Sequence, residues 1–191
     1  MTTTSPVRID LDLPPDFHEV PLDAAVEDRV AAQRELIEAL DIDDAQSREG
    51  IGWFLEALAR MTQGSHVAGT AFCAVELDGV PSAATLTIAT QEMPSDDPLV
   101  FAQGTYQSMR AASAYDTVQI ERLGGVTGVV ARREVDIGGN RSHQVTAVVP
   151  VAGHRVGVYV TVATDDLDHT EVYERVAIDA AASVRVAPSE E

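Results

Sequence analysis

The chain contains no lysine; all 13 of its basic residues are arginine. That excludes a P-loop lysine, a Schiff-base lysine and a lysine general base. A single cysteine, Cys73, excludes an intramolecular disulfide and a multi-cysteine zinc site. Aromatic residues make up only 5% of the chain, so the core must be assembled from Val, Ala, Leu and Ile. No apolar run is long enough to cross a bilayer. The opening "MTTTSPVRIDLDLPP" shows neither an apolar signal core nor a cysteine for lipidation. The expectation is therefore a cytoplasmic protein without membrane insertion.

What is present is acidic and globular. With 191 residues and 45% hydrophobic content, the chain suits one domain with a sizeable core. Its formal charge of −18 opposes binding to nucleic acid or anionic lipid and favours a partner with a neutral or basic surface. Residues 1–6 and 187–191 read as flexible tails around a single domain at 7–186.

Along the chain, Val7, Ile9, Leu11 and Leu13 alternate as in a strand that Pro14 and Pro15 end, and "FHEVPLD" continues it in extended form. A first helix is expected from an Asp23 cap, with Val26, Val30, Ile37 and Leu40 as its apolar stripe. "DIDDAQSREG" interrupts. A second helix carries Ile51, Phe54, Leu55, Leu58 and Met61 on one face, stops at Gly64, and uses Trp53 to cap the core. Asp78-Gly79 signals a β-hairpin. After the polar linker "QEMPSDD", Asp97 and Pro98 open a third helix with Leu99, Ala102, Tyr106 and Met109 inward. Four β-branched runs follow, at 118–123, 126–135, 145–151 and 156–163, the last two joined by a turn at Ala152-Gly153. A final helix starts from an Asp168/Glu171 capping box, with Val172, Val176, Ala180 and Val184 inward. Short turns between successive strands imply an α+β fold with an antiparallel sheet of about six strands flanked by helices.

The glycines of "RLGGVTGVVARRE" do not make a dinucleotide loop, because a β-branched run and not a helix follows them. They read as a turn at Gly124-Gly125, with Gly128 a bulge or close-packing site. "DIGGNR" reads as a mobile loop with Ser142 and His143 solvated beside it. Arg132 and Arg133 alternate faces on a strand, so at least one is solvated or paired with a carboxylate. The candidate partner-binding surface is a sheet face or edge together with the loops around Arg132, Arg133 and Arg141. Asp165, Asp166, Asp168 and His169 are the densest set of metal-capable side chains but lack the glycine and distal glutamate of an EF-hand loop, and read as a solvated turn. Cys73 lies mid-strand without cationic neighbours, as an inert thiol would. His66, His143 and His154 have no GxSxG elbow to serve. No residue is assigned a catalytic, cofactor or metal role.

Several segments, "LPPDFHEVPL", "WFLEALARMTQGSHVAGTAFCAVELDGVPSAATLTI", "VQIERLGGVTGVVARREV", "VTAVVPVAGHRVGVYVTVAT" and "VYERVAIDAAASV", together resemble an uncharacterised actinobacterial family. Its Leu-Pro-x-Gly-like turn appears here as "RLGGVTGVV", with glycine in place of proline. The element order is similar to the PsbP-like (Mog-like) fold, an α/β/α sandwich. That resemblance implies a non-catalytic protein that binds another protein or a second copy of itself, as an accessory or chaperone of a bacterial secretion or surface assembly. Two alternatives stay open: a small-ligand binder or cryptic hydrolase with a pocket between sheet and helices, and a structural subunit of a larger assembly.

Overall fold

The computed structural model describes residues 7–20, 25–40, 42, 44–62, 66–151 and 153–188. The expected cap at Asp23, the stop at Gly64, the tail at 1–6 and Ala152 lie outside the described residues. In chain order the elements are β1 (Val7–Asp10), β2 (His18–Glu19), α1 (Val26–Ala39), α2 (Ala45–Thr62), β3 (Val67–Leu77), β4 (Val80–Glu92), α3 (Pro98–Ala111), β5 (Thr117–Leu123), β6 (Val126–Ile137), β7 (Asn140–Val151), β8 (Val156–Thr164), α4 (Thr170–Ala182) and β9 (Arg185–Pro188).

The fold is α+β, and its main sheet is antiparallel, in the order β2-β3-β4-β8-β7-β6-β5. It holds seven strands where about six were expected. The opening strand is not among them. β1 pairs instead with β9, matching Val7 to Pro188 and Asp10 to Arg185. The first two residues of the expected C-terminal tail, 187 and 188, are therefore strand. The seventh strand comes from the "FHEVPLD" segment, where His18 and Glu19 pair with Phe72 and Ala71.

Turn chemistry sets the hairpins. Asp78 and Gly79 both take positive φ (52° and 81°), and β3 runs directly into β4. Gly124 and Gly125 do the same between β5 and β6. Gly138 and Gly139 (φ 65° and 91°) close β6 onto β7 so tightly that Ile137 pairs Asn140. The mobile loop expected around "DIGGNR" is thus a two-residue hairpin, because two consecutive glycines suit a turn whose twist matches the strands. Gly128 is a close-packing site: a Cβ there would lie 2.5 Å from Val148 O and 2.6 Å from Leu123 Cδ1.

Strand alternation assigns the layers. One face of the sheet sends Val130, Val145, Ala147, Val158, Val160 and Val162 against Tyr173, Ala177 and Ala180 of α4. On the other face, Val129, Ala131 and Val148 meet Phe101, Ala102 and Met109 of α3. On that second face, at the β3 end of the sheet, Phe72 packs with Leu36 of α1 and Leu55 of α2. Helices therefore cover both faces, giving three layers.

Four helical details differ from the sequence reading. α2 begins at Ala45, inside the stretch read as an interruption. α4 is capped by His169 without a side-chain bond, and it buries Tyr173, Ala177, Ala180 and Ala181. Val172 is exposed. Small alanines let α4 settle close to the sheet, which shifts the inner face by one residue from the valine stripe. In α3, Asp97 does cap, accepting from Leu99 N at 2.9 Å, but Phe101 and Thr105 are buried while Leu99 is exposed. α1 buries Arg29, Gln33 and Leu36 in place of Val26 and Val30.

Candidate functional site

The three arginines singled out by sequence do not form one cationic patch. Arg132 faces α4. Its Nε donates to Glu174 at 2.7 Å, and its guanidinium lies 3.6 Å from Glu121. Arg133 points to the opposite face, donates twice to Gln144 Oε1 (2.9 and 2.7 Å) and stacks 5.5 Å over Tyr115. Arg141 shares the face of Arg132 and is ion-paired with Glu134. His143, expected to be solvated beside Ser142, is mostly buried and lies 3.2 Å from Glu174 Oε1. Because β7 continues through residue 143, alternation turns this side chain toward α4. Asp116, Thr117, Arg132, Glu134 and His143 line a 460 Å³ cleft in which two carboxylates stand beside Arg132.

The Asp166–His169 segment is a polar junction built from protein donors. Asp166 accepts from Ser82 Oγ at 2.5 Å, from His169 Nδ1 at 2.8 Å, and from the amides of Asp168 and His169. Since Ser82 gives its proton to Asp166, Tyr173 OH is the donor to Ser82 Oγ, at 2.5 Å. His169 Nε2 reaches Asp78 at 3.3 Å. The chain of bonds thus ties the β3–β4 hairpin to the start of α4. It lowers the Asp166 pKa, chiefly through Ser82 and then His169, and raises that of His169 through Asp166 and Asp78. Among the described residues no three His, Cys, Asp or Glu side chains gather as a metal-holding group.

Cys73 is buried beside Tyr173, and desolvation raises its pKa to about 11. At neutral pH it is a thiol, which is a poor nucleophile. Burial likewise pushes the Tyr173 phenol up to about 12. The histidines with side-chain partners bond carboxylates: His143 to Glu174, His169 to Asp166 and Asp78.

A larger opening than that cleft lies elsewhere, between α1 and α2, and sequence reasoning missed it. It is a groove of 640 Å³ walled by Val26, Val30 and Ile37 on one side and by Gly52 and Trp53 on the other. Trp53, expected to cap the core, is 73% exposed; Val26 is 62% and Val30 44% exposed. Beneath them Arg29, whose side chain is only 4% exposed, donates Nε and Nη2 to Glu56 at 3.0 Å each. Arg60 Nε adds a bond to Glu56 at 2.8 Å. These bonds, Arg29 first and Arg60 next, hold the Glu56 carboxyl at about 2. Gln33, Glu56 and Arg60 form the polar part of the groove lining; the two helices approach closely at Ile37 and Gly52, and Val26, Val30 and Trp53 stay open to solvent. A signal was available in the sequence. Trp53 lies two residues, or about 200° of helix, from Leu55. It sits opposite the stripe formed by Ile51, Leu55 and Leu58. The next residue, Phe54, turns back and contacts Phe72 at 5.6 Å between ring centroids.

A further opening, of 380 Å³, lies on the other side of α2, between Ile51 and Phe54 and the sheet residues Phe72, Thr85 and Ala163. Among the described residues, no helix is long and apolar enough to cross a membrane.

Fold and site together define a three-layer α+β domain with an unfilled apolar groove on a helical hairpin. No family model matches the sequence, and no curated protein matches it. Among solved structures it is similar to LpqN, described as involved in cell envelope biogenesis of Mycobacterium tuberculosis. The identity is 14% and the TM-score 0.47, over 97% of this chain and 87% of that chain.

Proposed function

We propose that this chain is a non-catalytic protein-binding module that receives an amphipathic, basic helix of another protein in the α1–α2 groove. The observation that carries the reading is the 73% exposure of Trp53 above that groove. Trp is the residue type most enriched at binding hot spots, and an apolar groove between two helices suits a third helix laid into it. Charge selects the occupant. Arg34, Arg48 and Arg60 balance Glu38, Glu49 and Glu56 along the groove itself, so the choice rests on the acidic charge of the chain around it. On a chain of net charge −18, a basic helix is attracted and a second copy of this same chain is repelled. The PsbP-like assignment belongs to the same reading and is supported by the three-layer α/β/α arrangement.

The test is calorimetric titration with a synthetic helix bearing leucines at i, i+3, i+4 and i+7 and lysines elsewhere. Val30→Glu separates docking from general attraction, because it adds a negative charge while spoiling the apolar wall. The reading expects weaker binding to Val30→Glu than to the wild type. Binding that is unchanged or tighter would sink it.

A further inference from the structure

We propose that β5 is a self-pairing edge, through which two copies of this chain join their main sheets antiparallel about a two-fold axis at Ile120. This inference is independent of the groove reading and rests on a different surface.

The two ends of the main sheet are unlike. At one end stands β2, only two residues long. It pairs only with Ala71 and Phe72, so among the described residues the outer side of β3 at 73–77 has no strand partner, a stretch shorter than β5. At the other end stands β5, seven residues long, paired to β6 from Thr117–Arg132 to Leu123–Val126 without a register shift. Among the described residues, no backbone bond joins residues 117–123 to any element except β6. α3 and α4 pack on its two faces, while Gln119, Ile120 and Arg122 stay exposed. The sequence TVQIERL has no proline and no bulge twists it away, and of its two charged residues Glu121 is turned to Arg132 within the same sheet. Ile120, at its midpoint, is 46% exposed.

Symmetry selects the register. A two-fold axis perpendicular to the sheet keeps each side chain on its own face, so opposed residues must sum to an even number and the axis passes through one residue. An axis at Glu121 or Arg122 sets like charges against each other. An axis at Gln119 leaves the last two residues of the strand unpaired. At Ile120 the whole strand pairs: Ile120 meets the second copy's Ile120, Val118 its Arg122, and Gln119 its Glu121. The strand is locally neutral, since Glu121 and Arg122 cancel. The long-range repulsion of two acidic chains is screened by salt, so the pairing tightens as salt rises.

Sedimentation of the full chain over about 10–500 µM, a range that suits a small interface, is expected to show a monomer–dimer equilibrium that shifts toward dimer with added salt. Ile120→Lys is expected to be monomeric with an unchanged circular dichroism spectrum. Ile120→Cys under mild oxidation is expected to give a covalent dimer. Gln119→Cys is not, because its symmetry mate is displaced by two residues and lies beyond about 7 Å, too far for a disulfide. Native Cys73 is buried and stays out of the reaction. A wild type that stays monomeric at high salt overturns the proposal. So does a dimer that survives Ile120→Lys, or cross-linking of Gln119→Cys as fast as Ile120→Cys. If Ile120→Lys fails to fold, the two cysteine variants decide.

Discussion

His169 Nδ1 lies 2.8 Å from Asp166 Oδ2, and this contact fastens the first turn of α4 to the β3–β4 hairpin, because Asp166 also holds Ser82 and His169 also reaches Asp78. The histidine stands between two carboxylates, so its charged form is favoured in the folded state and its pKa is raised above 6.5. A group with a raised folded pKa contributes fully below its unfolded value, and the contribution is lost as pH rises through the folded value. Asp166, lowered from 3.8, behaves oppositely: its contribution is present above 3.8 and lost as pH falls through the depressed value. The junction is therefore strongest between about pH 4 and pH 6.5. The melting temperature of the wild type is expected to fall more between about pH 6 and pH 9 than that of His169→Gln. Equal slopes for the two proteins would contradict the junction.

The turn at Gly124-Gly125 supplies a second expectation. A Cβ on Gly124 would lie 2.0 Å from Ala182 O, at the end of α4, while one on Gly125 would meet nothing within 4 Å. Both residues have positive φ. Gly125→Ala is expected to cost about 1 kcal/mol from backbone strain alone. Gly124→Ala adds a backbone clash that only displacement of α4 relieves, for a total of about 3 kcal/mol. Urea unfolding measures both, and equal costs would show that α4 does not rest on this turn.

Cys73 should be silent to thiol reagents in the folded chain. Its burial and its pKa of about 11 leave almost no thiolate at neutral pH. Labelling is expected only after denaturation, measured by mass shift. Rapid labelling of the native protein would place the thiol at the surface and undo the packing of α4 on β3.

The parts of the fold that were legible in the sequence are local. Asp78-Gly79, Gly124-Gly125 and Asp97-Pro98 each carry their conformation in two adjacent residues, and each does what those residues dictate. The parts that were hidden depend on distant partners. β1 finds β9 at the far end of the chain, Arg29 finds Glu56, and Arg132 finds Glu174. A hydrophobic stripe assigns α1 wrongly because the burial of Arg29 becomes favourable only when Glu56 is present to neutralise it. α4 is misread by one residue for a related reason. Periodicity rewards valine, whereas close approach to the sheet rewards the alanines at 177, 180 and 181. The arginine pair illustrates both cases: its opposite faces follow from strand alternation, but the partners of each do not.

Trp53 is the chain's one tryptophan, so its emission reports the α1–α2 groove without interference. Titrating the chain with the lysine–leucine helix is expected to shift that emission to shorter wavelength and to saturate, as the ring leaves water. Trp53→Ala, followed by calorimetry, is expected to weaken binding by about 30-fold or more (~2 kcal/mol) with folding unaffected. Emission that stays at the wavelength of a solvated indole while the helix binds, together with an undiminished affinity for Trp53→Ala, would contradict the groove as the site of binding.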